Sequence, residues 1–158
     1  MVQTEFPISI YGEAQKVNDV LTKARCRIFY KYGNRNGTYI TDEFAEELIS
    51  SLHYVPVKGI YGDDDFTDHG MFRSEGRIYG IVPEQNNFAW EDHEDEDGVV
   101  RTYACSDVYL FTALYPEAAT ITGKSQSMEL YAPSLTYHYQ TIDDQQYIVF
   151  EHGSFLGL

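Results

Sequence analysis

Apolar and polar residues alternate along most of this chain, and a helical period stands out only once. In RCRIFYKY, Cys26, Ile28 and Tyr30 take one face of a predicted strand, and Arg25, Arg27, Phe29 and Lys31 the other. GNRNG follows as a turn, because its glycines and asparagines tolerate positive φ. The one clear helix comes next. Thr41 can cap it, Asp42 and Glu43 suit its positive end, and Phe44, Ala45, Leu48, Ile49 and Leu52 form a single stripe limited by Pro56. The earlier segment EAQKVNDVLTKA has weak apolar spacing and reads as either a short helix or a loop.

Further strands are predicted in FPISIYG, VKGIYG, GRIYGIVP, NFAWE, VVRTYACSDVYLFTALY, SMELY, LTYHYQ and QYIVFE, the last two joined by a turn at Asp143–Asp144. Residues 62–75 read as a polar loop, DHEDEDG as an acidic hairpin tip, and PEAATIT as a short helix opened by proline. Many strands and few helices, without alternating βαβ units, predict a mainly β (α+β) fold, an antiparallel sheet closed as a barrel. No linker or internal repeat divides the chain, so 1–158 is expected to be a single domain. The apolar ending HGSFLGL suggests a domain cut from a longer polypeptide.

Composition narrows the partners. The 158 residues are 43% hydrophobic and 15% aromatic, enough for a packed core. A net charge of −14 should repel nucleic-acid phosphates and anionic membranes, and no apolar run approaches the ~20 residues of a membrane span. A membrane or direct nucleic-acid partner is therefore not expected. Cys26 and Cys105 lie in apolar strand-like runs and read as reduced core thiols.

Two places gather chemistry. Asp63, Asp64, Asp65, Asp68 and His69 collect hard donors that a divalent cation could use, but the spacing lacks the glycine and terminal glutamate of a calcium loop. Ser125 and Ser127 lie two residues apart on one face of a strand. A serine becomes a nucleophile only when a base accepts its proton and a third group fixes that base. Among five histidines, His53 ends the helix, His93 lies in the acidic tip, His138 sits between tyrosines, and His69 and His152 each precede a glycine. The G-x-S-x-G elbow of α/β-hydrolases is absent.

KARCRIFYKYGNRNGTYITDEFAEEL, PVKGIYGDDDFTDHG, RIYGIVPEQNNFAWE, YACSDVYLFTALYPEA, GKSQSMELY and FLGL, taken in order, resemble the prohead (head maturation) proteases of tailed bacteriophages. The similarity is to the group in which a protease domain precedes a scaffolding region, and it runs from about residue 14 to the end. The resemblance implies a fold similar to the herpesvirus assemblins. It also implies a serine endopeptidase that cuts scaffold and major capsid proteins inside the assembling prohead, in the bacterial host cytoplasm, with a homodimer as a further expectation. It makes Ser127, before Met-Glu, the nucleophile and His69 the general base, with Ser125 as rival nucleophile. VFEHG stands where the family has its third member, offering His152 or its neighbour Glu151. No cofactor is expected. A binding module that keeps the fold but little catalysis, and a metal-dependent hydrolase built on the aspartate cluster, are the competing expectations.

Overall fold

Strand formation follows the alternating segments closely, and the departures come from turns and bulges. The computed structural model describes residues 7–34, 37–62, 65–68, 76–121, 125–127 and 129–158. The first ambiguous segment is a hairpin, not a helix: β1 (Pro7–Lys16) turns into β2 (Thr22–Tyr30). Asn18 makes the turn, its Oδ1 accepting from the Val20 and Leu21 amides at 2.8 Å each. Within β2 the expected faces hold as far as Arg27. A register shift against β9 between Arg27 and Phe29 then lets Ile28 and Phe29 both enter the core.

After β3 (Tyr32–Gly33) and β4 (Thr38–Ile40) comes α1 (Asp42–Ser50). Thr41 caps it as predicted, accepting from the Phe44 amide at 3.1 Å, and Phe44, Ala45 and Leu48 are its buried face. Then follow β5 (Pro56–Gly62), β6 (Asp65–Asp68), β7 (Arg77–Ile81), β8 (Ala89–Glu94) and β9 (Val100–Leu110). β6 corrects the expectation of a loop over its residues. PEAATI is a 3-10 turn, Pro116–Ile121. The chain ends with β10 (Ser125–Ser127), β11 (Glu129–Leu130), β12 (Thr136–Ile142), β13 (Gln145–His152) and β14 (Phe155–Gly157). Asp143 and Asp144 both take positive φ (50° and 64°), the geometry of a tight two-residue hairpin turn.

Among the described residues the fold is thus mainly β with one α-helix, arranged as three sheets. The largest runs β10-β1-β2-β9-β7-β5-β6, with β8 also paired to β9. A second runs β12-β13-β4-β3, and β11 pairs with β14. Two features differ from the expected closed antiparallel barrel. The hydrogen-bonded path is open among the described residues, and β13 pairs parallel to β4. The chain's end touches both sides of this arrangement: β14 pairs with β11, which follows β10 in the chain, and Leu158, just past β14, exchanges backbone bonds with Pro56 and Lys58 of β5 at 2.9 and 3.0 Å.

The core lies between the sheets and α1. Ile10, Ala24, Cys26, Ile28, Val108 and Leu110 come from the large sheet, Phe44 and Leu48 from the helix, and Phe150 from β13. Phe44 packs on Phe150 with ring centroids 5.4 Å apart. Cys26 and Cys105 are both free thiols. No helix among the described residues is long and apolar enough to cross a membrane.

Gly80 is required by close approach: a Cβ there would strike the Tyr109 carbonyl oxygen of the paired strand. Gly80→Ala is expected to cost about 1–3 kcal/mol through backbone displacement, more than the about 1 kcal/mol expected for losing the helix cap in Thr41→Ala. Urea unfolding of both variants checks the order.

Candidate functional site

Backbone pairings connect segments that flank the expected serine site. Ser127 ends β10, opposite Pro7 of β1, and Ser125 faces Ser9. Two residues beyond Ser127, Glu129 pairs with Gly157, and Leu130 pairs with Phe155, three residues beyond His152. The Tyr131 amide also donates to the Ser154 carbonyl at 2.9 Å. Asp68, the residue before His69, pairs with Ile60 on β5, the strand that bonds the chain's last residue. The side chains of Ser125 and Ser127, and the whole of His69, lie outside the described residues, as do Asp63 and Asp64 of the aspartate cluster.

Both candidates for the third position have defined partners. His152 Nδ1 meets Glu47 Oε2 of α1 at 3.0 Å, with its ring largely exposed. Glu151 points elsewhere, its Oε1 meeting His138 Nδ1 on β12 at 2.7 Å. Alternation on β13 separates the two side chains, as their adjacency requires. His138 is held above its ordinary value by Gln140 and then Glu151, which both favour the protonated ring.

A second constellation lies on the face of β2, β8 and β9 turned from the core. Arg25 is its hub. Its Nη2 and Nε donate to Glu91 Oε2 at 2.5 and 3.0 Å, and its Nη1 donates to Asp107 Oδ1 at 3.1 Å and to the Asn87 carbonyl at 2.7 Å. Asn87 Nδ2 completes the Asp107 carboxylate at 2.7 Å. The Tyr11 hydroxyl donates to Glu91 Oε1 at 2.5 Å. His93 Nε2 stands 3.4 Å from that same oxygen and 3.9 Å from Cys105 Sγ. The His93 ring packs edge-on against Tyr11 at 4.6 Å, and Arg27 lies over the Tyr11 and Tyr103 rings.

Burial and partners set the charges here. Burial alone would raise the Glu91 carboxyl, but hydrogen bonds from Tyr11 and Arg25 outweigh it and hold Glu91 below the usual value. Burial likewise opposes the charge on Arg25, and Glu91, Tyr11 and Asp107 more than restore it. The Tyr11 phenol is driven far up by burial and by donating to Glu91. Burial pushes the Cys105 thiol up to about 11, the Tyr11 hydrogen bond only partly offsetting it.

Sequence reading put His93 in an exposed acidic tip. β8 instead runs on to Glu94 and carries His93 against two tyrosines. Trp90-Glu91-Asp92-His93 carries no apolar–polar alternation, so only the pairing with Arg101, Thr102 and Tyr103 reveals that the hairpin extends past the first acids. Separately, a cleft of about 370 Å3 lies among Tyr30, Lys31, Tyr32, Trp90, Arg101 and Thr102. The Lys31 ammonium stands over the Trp90 ring there, at 4.5 Å.

The YonD N-terminal domain family matches residues 20–158, and the chain belongs to that family. No curated protein and no solved structure matches it.

Glu91 has a pH signature of definite sign. Its folded value lies below the ordinary 4.5, so its contribution to stability is present in full above pH 4.5 and fades as the pH falls through the folded value. Glu91→Gln should cost about 1–3 kcal/mol at pH 7, the range for a hydrogen-bonded charged group. The gap between variant and parent should narrow below pH 4.5 in urea titrations run from pH 7 to 3.

Proposed function

We propose that this domain is a serine endopeptidase that cleaves scaffold and major capsid proteins during head maturation of a tailed bacteriophage. The family match supports a phage-related protein. The observation that carries the enzymatic reading is the backbone neighbourhood: the segments bordering Ser127, His69 and His152 are linked through β11, β14 and β5. Ser127 attacks the scissile carbonyl, His69 takes its proton and returns it to the leaving amine, and an acyl-enzyme is then hydrolysed.

His152 is proposed to orient His69, with Glu47 behind it. A carboxylate only accepts, so the 3.0 Å contact makes His152 Nδ1 the protonated nitrogen. Its Nε2 is then an acceptor, able to fix the tautomer of a second imidazole. A neutral ring stabilises the developing imidazolium less than a carboxylate would, so slow turnover suits assembly-coupled cleavage. Substrates would add as extended strands along a sheet edge. The net charge of −14 suits basic capsid or scaffold surfaces.

A second reading has one observation in its favour. The third candidate is largely exposed and already engaged with α1, as suits a prohead-assembly module with little or no catalysis. A fluorophosphonate probe and co-expression with scaffold and capsid proteins separate the two. The protease reading expects labelling and processing that Ser127→Ala abolishes and Ser125→Ala leaves. His152→Ala and Glu47→Gln should lower kcat with little change in KM. Unlabelled folded protein, or processing that persists in Ser127→Ala, overturns it.

A further inference from the structure

We propose that Glu91, His93 and Cys105 form a zinc-binding site on the outer face of the β8–β9 hairpin, distinct from the serine residues. One oxygen, one imidazole nitrogen and one sulfur lie within 4.8 Å of one another. Zinc bound tetrahedrally, with Zn–N and Zn–O of about 2.0–2.1 Å and Zn–S of about 2.3 Å, spaces nitrogen from oxygen by about 3.4 Å and nitrogen from sulfur by about 3.6 Å. The Nε2–Oε1 separation of 3.4 Å already fits and the Nε2–Sγ separation of 3.9 Å needs a small contraction, while the oxygen and sulfur, within 4.8 Å of each other, close toward about 3.6 Å as the ion binds. The thiol, imidazole and carboxylate mixture selects a borderline-soft ion over calcium or magnesium, which take all-oxygen sets.

Register explains why these three side chains meet. Ala89 pairs with Cys105 and Glu91 with Tyr103, so Glu91 and His93 project on the face that carries Cys105. Cys26 pairs with Ser106, one position along, and its side chain joins the hydrophobic core instead. Both thiols are buried, but Cys26 packs in the main hydrophobic cluster while the Cys105 sulfur faces His93.

The surroundings resemble the outer support that metal ligands need. Arg25 grips the far oxygen of Glu91, and Asp107 and Asn87 hold Arg25 in turn. Tyr11 donates to the near oxygen, Oε1, which also faces His93 Nε2, the contact an ion would replace. Arg25 and Arg27 offset Glu91 and Asp107 here, so the site's charges are close to balanced before binding. Metal coordination supplies the proton loss that burial denies the thiol: Cys105 releases its proton to solvent as sulfur binds the ion. Three protein donors leave the fourth position to water or to a group on a partner. Access is from the His93 and Glu91 side, where both side chains are part-exposed.

Cobalt(II) substitution of the purified full chain under reducing conditions tests the site. Saturation at one ion per chain is expected, with a near-ultraviolet thiolate-to-cobalt band and visible bands of tetrahedral strength, and zinc should displace the colour. Cys26→Ser should keep the band. Cys105→Ser should lose it. His93→Ala should weaken zinc binding by at least about tenfold. Should Cys105→Ser misfold by circular dichroism, His93→Ala and Glu91→Ala, both at part-exposed positions, carry the test. Absence of saturable binding overturns the proposal. So does binding without a thiolate band, or affinity unchanged in His93→Ala, since either locates the ion elsewhere. Activity of Ser127 plays no part in these readouts.

Discussion

The antiparallel pairing of β2 with β9 is the contact on which the remaining structure depends. Eight residue pairs, from Thr22↔Leu110 to Tyr30↔Tyr103, hold the two strands in register. One face of this ribbon supplies Ala24, Cys26, Ile28, Val108 and Leu110 to the core. The other supplies Arg25, Cys105 and Asp107 to the polar constellation. Because side chains alternate, a slip of one residue would bury Arg25 in the core and expose its apolar neighbours. The Arg25–Asp107 pair is itself a registered cross-strand pair, 3.1 Å apart. It opposes such a slip twice, through attraction in the native register and through desolvation in the wrong one.

The strand content was readable because half-buried antiparallel strands write their burial as alternation. Helix α1 was readable for the complementary reason: Thr41, the early acids and the Phe44-Ala45-Leu48 stripe agree with each other. The misreadings have local physical causes. EAQKVNDV has too few apolar residues to reveal a period, and its hairpin is decided by the Asn18 side chain bonding two amides. DFTD has no apolar repeat at all, and its strand exists because β5 offers it an edge. Phe29 enters the core through a register shift, which no count of alternating residues can supply.

The acidic tip has a similar explanation. A run of acids reads as a solvated turn because like charges repel and hydrate. Here one cation organises them. Arg101 donates to Asp95 at 2.5 Å and to both oxygens of Asp97 at 3.0 and 2.8 Å, while its guanidinium lies over the Tyr30 ring. The Tyr103 hydroxyl adds a 2.7 Å bond to Asp95. The turn can therefore be confined to Asp95–Gly98, where the Gly98 amide donates to the Asp95 carbonyl and Gly98 takes a φ of 77°. The acids before it are then free to continue β8, which is what brings His93 beside Cys105. Without Arg101 beside them the acids of this segment predict only a solvated turn, and His93 with it.

The proposed serine site and the Glu91–His93–Cys105 cluster draw on different parts of this scaffold. The cluster rests on three adjacent strands whose register is locked by many ladder bonds, so its geometry is largely fixed by folding. The segments near Ser127 and His69 rest on the sheet's outer members, β10 and β6, at opposite ends of the ladder β10-β1-β2-β9-β7-β5-β6, with the short β11–β14 pair between their flanking segments. Short edge strands open at lower cost than central ones, because fewer bonds and less buried area must be given up. A catalytic centre assembled there would depend on β14 staying docked against β5, and so on the two backbone bonds at Leu158. Anything that displaces β14 should disturb the proposed serine site first and leave the central cluster intact.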